Sequence, residues 1–330
     1  MDGWDQKMIT TGCTRCPRNC QVKRWDGQAG RCGVSGKDIY IARASLHMWE
    51  EPCISGDTGS GTVFFFGCPL RCIYCQNYKI AHVDSVELEI SSKELELSSA
   101  EGAPSPIINK PTKVNVHQLA DIFLRLQDQG ANNINLVTPT HYTPEITQAV
   151  LLAKEQGLSL PIVYNCSGYE KVETLRTLEG IVDIYLTDFK YMDAALAKRY
   201  SNAEDYPEVA KEALREMVRQ MEARGDITSS LNEKGMMQTG IIVRHLLLPN
   251  HVRNAKAVVK YVFEAYGDQV YISLMNQYTP LPQVADIPDL NRRVTRREYE
   301  SLINYAVSLG VERGFVQEGE TAIESFIPPF

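Results

Sequence analysis

Short hydrophobic runs alternate with amphipathic stretches through most of this chain. From about residue 61 onward, six runs rich in Val, Ile, Leu, Phe and Tyr predict buried strands at 62–66, 133–137, 161–164, 182–187, 241–246 and 270–274. Between and after them, apolar residues recur near the 3.6-residue period of a helix, as at Leu119, Ile122 and Leu126. The predicted helices are 117–129, 144–156, 169–178, 207–223, 251–266 and 295–309.

Six strand–helix units in series indicate an α/β fold. Such a series favours a parallel sheet joined by right-handed crossovers. Pro144 and Pro207 stand near the start of two predicted helices, where a missing backbone N–H costs nothing. A partial (β/α)6 barrel satisfies the pattern, and a flat doubly wound sheet is the alternative.

Three segments depart from this alternation. Residues 1–60 are rich in cysteine and glycine and show weak periodicity, so we expect an N-terminal metal-binding region followed by a barrel over 61–330. Residues 84–113 are read as an insertion, either an exposed strand pair or an acidic loop. Residues 224–239 are expected to form a hairpin or a loose turn.

Composition excludes several classes of protein. The chain has 330 residues, 44% of them apolar and 23% charged, which is typical of a globular protein. Its 34 basic and 41 acidic residues give a net charge of −7, so no nucleic-acid partner is expected. No apolar stretch approaches the roughly 20 residues that span a bilayer, and the N-terminus lacks a signal-peptide core. We therefore expect a cytoplasmic protein without a membrane partner.

The nine cysteines point to metal ligation. Their number is odd, they cluster along the chain, and no export signal accompanies them, so a disulfide framework is a poorer account. Exposed iron–sulfur clusters lose iron in oxygen, so we expect an anaerobic or well-reduced compartment.

Cys68, Cys72 and Cys75 follow the apolar run 62–66 directly. Three thiolates at this spacing can hold three irons of a [4Fe–4S] cluster and leave the fourth iron without a protein ligand. An open metal position is what a catalytic site needs. A zinc knuckle or three unrelated thiols is the alternative, although no fourth ligand follows at the usual zinc spacing.

A second group of cysteines lies near the N-terminus, at Cys13, Cys16, Cys20 and Cys32. Four thiols within 20 residues are a strong metal signal. Two hypotheses stand level here: a structural zinc, and a second iron–sulfur cluster used for electron relay or substrate ligation. Basic residues surround the group and would offset the charge of four thiolates.

The loop of three cysteines, with Tyr74 just before the third, resembles the radical S-adenosylmethionine (SAM) superfamily. Four further segments are similar to the uncharacterised homologues of the pyruvate formate-lyase activating enzyme: EEPCISG (50–56), TPTHY (138–142), DIYLTDFK (183–190) and VRHLLLP (243–249). The resemblance covers nearly the whole chain. It implies a partial (β/α)6 TIM-like radical SAM barrel with the N-terminal cysteine-rich region added.

The resemblance also implies an activity. Cys68, Cys72 and Cys75 would hold a [4Fe–4S] cluster whose free iron binds SAM, and reductive cleavage would give a 5′-deoxyadenosyl radical that abstracts hydrogen. The expected target is a peptide or protein, for glycyl-radical activation or post-translational modification. A flavodoxin- or ferredoxin-type electron donor would be required.

The same resemblance assigns SAM contacts. Tyr74 would pack beside the adenine, and Lys190 would bind the SAM carboxylate. Asn165 and Ser167 would touch its amino or ribose groups, although relatives often carry an acid and an asparagine there. Thr138 stands where relatives have a glycine-rich motif, which is missing here. The final expected contact is Arg244, near the methionyl or ribose part.

Some residues and functions stay open. His141 and Tyr142 either face the substrate or cap the next helix, and Cys53 is by default a packed thiol. Two rival functions remain beside the radical enzyme: an iron–sulfur electron carrier or scaffold that never cleaves SAM, and a zinc-dependent enzyme.

Overall fold

The computed structural model describes residues 12–36, 38–83, 106–226 and 228–317. The strands are Ile39–His47 (β1), Ser60–Phe65 (β2), Thr112–Val114 (β3), Ile134–Val137 (β4), Ile162–Cys166 (β5), Ile184–Asp188 (β6), Ser230–Leu231 (β7), Met237–Leu246 (β8), Tyr271–Met275 (β9) and Gly314–Val316 (β10). The α-helices are Pro52–Ser55 (α1), Tyr78–Ala81 (α2), Val116–Asp128 (α3), Thr143–Glu155 (α4), Val172–Arg176 (α5), Ala194–Ser201 (α6), Tyr206–Ala223 (α7), Val252–Tyr266 (α8) and Arg296–Leu309 (α9).

One sheet organises these elements, in the order β10-β9-β8-β6-β5-β4-β2-β1-β3. The seven strands from β10 to β2 pair in parallel, whereas β1 and β3 add an antiparallel edge. The sheet is not closed within the described residues. The α/β fold with a partial barrel is therefore confirmed, and the flat doubly wound alternative is not needed.

All six predicted strands are present, with ends shifted by a few residues. They are buried along nearly their whole length, which is why they read as continuous apolar runs and not as an alternation. Five of the six predicted helices are equally well matched, and Pro144 and Pro207 lie in first turns as expected. Capping boxes begin α3 and α9, from Asn115 with Gln118 and from Thr295 with Glu298.

Three predicted segments differ or remain open. The helix expected at 169–178 is only α5, because Lys171 at its N-cap has an extended backbone and Tyr169 donates a hydrogen bond to Asp205 at 2.8 Å. Residues 224–239 form a hairpin, since β7 pairs antiparallel with β8. Residues 84–105 of the predicted insertion lie outside the described residues, and the division at residue 60 stays a prediction.

The pairing register of the parallel strands aligns their carboxyl ends at one edge of the sheet. Asp188 on β6 is paired with Arg244 on β8, and Arg244 with Ser273 on β9. The segments that follow β2, β4, β5 and β6 leave the sheet at this same edge. Chemistry in parallel α/β sheets is built at the carboxyl ends of the strands. No helix of the described ranges combines the length and apolar character that a bilayer crossing requires.

Candidate active site

A cavity of about 430 Å³ opens at the carboxyl ends of the parallel strands. This volume lies within the range of small-molecule sites. Cys68, Cys72 and Cys75 line it together. The predicted cofactor residues that also line it are Tyr74, Thr138, Asn165, Ser167, Lys190 and Arg244. The fold therefore brings to one cavity residues that are spread over more than half of the sequence.

The cysteine loop, residues 67–77, leaves β2 and turns back on itself. Arg71 adopts a left-handed backbone with φ of 53°, and the Cys75 N–H donates to the Cys72 carbonyl at 3.1 Å. Cys68 and Cys72 are buried, and Cys75 is partly exposed. Ser201, the last residue of α6, donates from Oγ to Cys72 Sγ at 3.1 Å. These contacts fix the loop so that its thiols border the same space.

Burial opposes the ionisation of the three thiols, and a nearby cation favours it. Burial raises the pKa of Cys68 to about 11, and burial also raises the pKa values of Cys72 and Cys75. Lys190 acts in the opposite direction on all three, because its positive charge lowers their pKa values. A thiolate is the form that binds metal, so Lys190 favours the ligating state of the loop.

Lys190 is held beside the cavity by Asp188. Its Nζ lies 2.5 Å from Asp188 Oδ2, and both side chains are largely buried. Burial alone would lower the pKa of Lys190, but the Asp188 carboxylate and neighbouring Cys72 raise it above its ordinary value. The lysine is therefore a permanent cation at neutral pH, suited to a carboxylate ligand.

Arg244 forms the far wall of the cavity with a carboxylate that the sequence did not assign. Its Nη1 donates to Glu50 Oε2 at 2.8 Å and its Nη2 to Asn165 Oδ1 at 2.5 Å. Glu51 Oε2 lies 4.0 Å from Arg244 Nη1 and makes no hydrogen bond within the described residues. Burial raises the pKa of Glu51, despite the opposing charge of Arg244. Arg244 thus carries its positive charge between two buried acidic side chains at this wall.

The turn after β5 requires its glycine. Gly168 has φ of +75°, and a Cβ there would lie 2.1 Å from the Asp188 carbonyl oxygen. The Ser167 carbonyl accepts a hydrogen bond from the Tyr206 hydroxyl at 2.8 Å. Thr138, at the end of β4, also has a left-handed backbone, and its N–H donates to the Asn165 carbonyl at 2.9 Å. Close backbone approach thus brings Thr138 and Ser167 to the cavity wall.

Tyr74 lies in a buried aromatic group. Its ring meets those of Tyr200 and Tyr278 edge-on, with centroids 6.4 and 6.3 Å apart, and its hydroxyl accepts from Tyr191 at 2.8 Å. The Tyr191 hydroxyl also lies 2.8 Å from Ser201 Oγ, which donates to Cys72. Tyr74 lines the cavity, but packing against its aromatic neighbours is enough to explain its burial. Its contact with adenine stays a prediction.

Other candidate residues are placed elsewhere. The His141 ring donates to the Phe66 carbonyl at 2.7 Å, and the Tyr142 hydroxyl accepts from the Tyr40 N–H at 3.3 Å. Both are buried and neither lines the cavity. Cys53 packs in a separate apolar cluster, as the default hypothesis expected. Asp183 is bonded to Arg224, away from the cavity.

Sequence reasoning missed several cavity residues. Glu50 was noted only as part of a similar segment, although an acidic pair before a buried strand is a visible signal. The carboxyl end of the described chain was missed entirely: Phe315, Val316 and Gln317 line the cavity from β10. Trp49, which is 58% exposed, stands at the cavity edge.

The four N-terminal cysteines are brought together behind the cysteine loop. The thiols of Cys13 and Cys20 are hydrogen-bonded to each other, and Cys16 lies near both Cys20 and Cys32. Within the described ranges, no three His, Cys, Asp or Glu side chains are grouped tightly enough to hold a single metal ion.

Comparison with known proteins decides the family. Residues 62–231, just over half of the chain, match the sequence profile of the radical SAM superfamily. The chain belongs to the radical SAM superfamily. Membership implies SAM, a [4Fe–4S] cluster and SAM-dependent radical chemistry, and the three thiols at the cavity are a donor set that fits the cluster.

Individual relatives of this radical SAM protein are distant. An uncharacterised protein of Methanocaldococcus jannaschii is 27% identical over 300 residues, which cover 91% of this chain and 75% of the relative. SuiB of Streptococcus suis, solved with S-adenosylmethionine, is 12% identical, with a TM-score of 0.44 over 76% of this chain and 48% of SuiB. SuiB solved with its precursor peptide SuiA is also 12% identical, with a TM-score of 0.43. The chain thus spans about half the length of the SuiB chains.

Proposed function

We propose that this radical SAM protein cleaves SAM reductively at a cluster held by Cys68, Cys72 and Cys75, and abstracts hydrogen from a peptide or protein. The observation that carries the proposal is the meeting of these three thiols with Lys190 and Arg244 on one cavity. The cluster, when bound, supplies the electron that breaks SAM into methionine and a 5′-deoxyadenosyl radical. A flavodoxin- or ferredoxin-type protein would deliver that electron.

The chain's own residues then bind and orient the substrate. Lys190, kept charged by Asp188, offers an ion pair to the SAM carboxylate. Asn165, fixed by Arg244, presents an amide to the methionyl or ribose groups, and Ser167 and Thr138 border the same wall. The partly enclosed shape of the cavity keeps water from the reacting atoms.

A peptide target is supported by the edge of the cavity. Met48, Trp49 and Val316 are large apolar side chains with 44%, 58% and 49% of their surface exposed, and Trp49 and Val316 line the cavity. Exposed apolar groups beside a polar interior are typical of protein-binding sites. The rim therefore suits the side chains of a polypeptide better than a small, fully polar metabolite.

The strand β10 gives the same target a backbone partner. Within the described residues β10 pairs on one side only, with β9, and it lines the cavity through Phe315 and Val316. An extended peptide can add to such an edge by main-chain hydrogen bonds. A target strand bound there would pass the cavity, which is where hydrogen abstraction must occur.

An assay for 5′-deoxyadenosine tests the reaction. The protein is reconstituted anaerobically with iron and sulfide, reduced with dithionite and given SAM. We expect 5′-deoxyadenosine from the wild type and none above background from Cys72→Ser. Cys53→Ser is the matched control, because Cys53 is equally buried but lies in a separate apolar cluster.

The rival functions are outcomes of the same assay. A fully loaded cluster with no 5′-deoxyadenosine would overturn the proposal in favour of an electron carrier or scaffold. Stoichiometric zinc without iron would overturn it in favour of a zinc enzyme.

Perdeuterated cell extract tests the target class. The extract is separated into macromolecules and small molecules, and each fraction is added to the reduced enzyme with unlabelled SAM. We expect deuterium in 5′-deoxyadenosine from the macromolecular fraction alone, and loss of that transfer after protease treatment. Transfer from the small-molecule fraction would contradict a peptide or protein target.

A further inference from the structure

Arg18 belongs to the N-terminal region, yet its hydrogen bonds leave that region. Its Nε donates to the Pro69 carbonyl at 2.9 Å, and its Nη2 reaches the Leu70 carbonyl at 3.4 Å. Both acceptors lie between Cys68 and Cys72, in the turn that joins two of the predicted cluster ligands. The guanidinium therefore contacts the cysteine loop through its backbone.

The same guanidinium completes the end of helix α6. Its Nη2 donates to the Ser201 carbonyl at 2.9 Å, and its Nη1 donates to the Asn202 carbonyl. The last carbonyls of a helix have no partner within the helix itself. One residue earlier, the Tyr200 carbonyl accepts from the Ile73 N–H of the cysteine loop at 2.9 Å. The end of α6 is thus satisfied jointly by the cysteine loop and by Arg18.

Ser201 carries this contact to a thiol. Its carbonyl accepts from Arg18, while its Oγ donates to Cys72 Sγ at 3.1 Å. The same Oγ lies 2.8 Å from the Tyr191 hydroxyl, which donates to Tyr74 at the cavity wall. A shift of the end of α6 would therefore move the hydroxyl that Cys72 meets.

Stacked aromatic rings support the plane of the guanidinium. The Arg18 Cζ lies 5.0 Å from the centroid of the Tyr169 ring, and that ring stacks on Tyr206 with centroids 6.0 Å apart and 10° between the planes. The Lys190 N–H donates to the Tyr206 hydroxyl at 2.9 Å. A planar guanidinium stacks on such a ring better than an ammonium does. The rings under Arg18 are therefore continuous with a residue of the cavity wall.

The backbone that carries Arg18 is anchored on both sides. Arg15 is 1% exposed and forms two hydrogen bonds of 3.0 Å with Glu145 on α4. Lys171, at the start of α5, donates to Asn19 Oδ1 at 3.1 Å. Contacts with two helices of the barrel thus hold the residues on either side of Arg18.

We infer that Arg18 is a positioning residue, which bridges the cysteine loop to the end of α6 and so fixes the turn between Cys68 and Cys72. The alternative is a counter-ion for the N-terminal thiols, but the donors of Arg18 reach carbonyl oxygens outside that group. The inference rests on the proposed function, because the geometry of this turn bears on the reaction only if the loop holds the cluster.

Hydrogen exchange of the full-length protein, purified without air, tests the bridge. The amides of Cys68, Ile73 and Cys75 make backbone hydrogen bonds, so their exchange reports the opening of the loop. In Arg18→Met they should exchange roughly tenfold faster, because bonds from a charged donor are lost. Amides of β4 and β5 should keep their wild-type rates. Unchanged exchange in the loop, or an equal increase in the strands, would overturn the inference.

Arg18→Lys separates geometry from charge. Lysine keeps the positive charge but lacks the rigid fork of donors that spans the loop and the helix end. The loop amides of Arg18→Lys should therefore exchange nearly as fast as those of Arg18→Met. Wild-type exchange in Arg18→Lys would show that charge alone suffices and would contradict the bridge.

Arg199→Met is the matched control. Arg199 also lies at the end of α6, with its Cζ 5.1 Å from a tyrosine ring centroid, but it pairs with Asp289. Its loss should leave exchange of the cysteine loop unchanged. The same increase as in Arg18→Met would contradict a role particular to Arg18.

The assay for 5′-deoxyadenosine keeps this inference distinct from the proposed function. If the wild type forms the product, Arg18→Met should form it roughly tenfold more slowly at saturating SAM and equal iron content, because the ligands of the cluster are misplaced. An unchanged rate would contradict the positioning role. If the wild type forms none, the proposed function fails, and hydrogen exchange still decides whether Arg18 fixes the loop.

Discussion

Two groups of cysteines lie back to back in this protein, and they differ in what surrounds their sulfurs. Cys68, Cys72 and Cys75 border a cavity lined by ionic side chains. In the N-terminal group, Cys13, Cys16 and Cys32 are buried against irregular backbone and Cys20 is partly exposed, and the Cys32 carbonyl accepts a hydrogen bond from the cysteine loop. Three thiols facing open space suit a cluster that must bind a substrate. The N-terminal thiols do not line this cavity.

The charges around the two groups differ in the same sense. At the cavity, Lys190 and Arg244 are each matched to carboxylates, on Asp188 and Glu50, and so form a fixed polar wall. In the N-terminal group, Arg24 has no carboxylate partner within the described residues and donates to Cys32. Arg244 and Lys190 thus carry their charges in ion pairs, whereas Arg24 directs its charge to a cysteine sulfur.

The largest expected difference between the groups is in SAM cleavage. Cys72→Ser should reduce 5′-deoxyadenosine formation to background, because it removes a ligand of the cluster that contacts SAM. Cys20→Ser should keep the rate measurable, because Cys20 does not line the cavity. Equal loss in both variants, at equal iron content in the cavity, would remove the distinction.

The ion pairs of Arg244 in the cavity wall should make a large contribution to the free energy of unfolding. Arg244→Met leaves the buried carboxylates of Glu50 and Glu51 without their cation, which should cost about 3–5 kcal/mol in the free energy of unfolding. Glu50→Gln in the same chain should restore part of the loss. Chemical denaturation of both variants measures this, and additive effects would show that the residues are not coupled.

Lys190 should matter for SAM affinity. Lys190→Met removes a charge-assisted hydrogen bond worth about 1.5–3 kcal/mol, so SAM should bind roughly 10- to 100-fold more weakly. Lys198→Met is the control, because Lys198 is exposed and pairs with Glu204 on the surface. Equilibrium binding to the reconstituted protein gives both values, and unchanged affinity in Lys190→Met would contradict the carboxylate contact.

Glu170 should give an effect that is visible in the pH dependence of stability. Burial raises the pKa of Glu170 to about 8, although hydrogen bonds from Thr140 at 2.7 Å and Tyr164 at 3.1 Å act to lower it. A carboxyl whose pKa is raised by folding stabilises the fold below its unfolded pKa and loses that contribution as pH rises through the folded pKa.

Wild type should therefore lose stability between about pH 5 and 8, by at least about 1 kcal/mol, and Glu170→Gln should not. Unfolding titrations at several pH values measure the difference. Parallel profiles for the two proteins would show that Glu170 is already ionised in the fold.

The sequence predicted the strands that carry the site, for a physical reason. Strands buried on both faces must be apolar throughout, so β2, β4, β5, β6, β8 and β9 were visible as runs. Chemistry collects where such strands end, and Lys190 and Arg244 stand at two such ends, although the roles predicted for them came from the family resemblance. Family resemblance supplied what spacing could not, namely SAM.

The rest depended on contacts between distant residues. That Glu50 pairs with Arg244 and that Asp188 holds Lys190 cannot be deduced from spacing, because the partners meet only through the sheet register. Strand β1 was hidden in a segment judged irregular, and β10 is only three residues long. His141 and Tyr142 looked equally suited to substrate or core, and burial places them in the core.

Binding of SAM to the cluster requires one iron at the cavity that no side chain of this protein ligates. Cys166 is a fourth thiol at the cavity, but its Sγ donates to Thr187 Oγ1 at 3.4 Å. Electron paramagnetic resonance of reduced Cys13→Ser/Cys32→Ser, in which the thiols at the cavity are the ligands left for a cluster, tests this directly. The account predicts that SAM changes the spectrum, and that Cys166→Ala leaves this response intact. A spectrum that saturating SAM does not alter, or a response that appears only after Cys166 is removed, would contradict it.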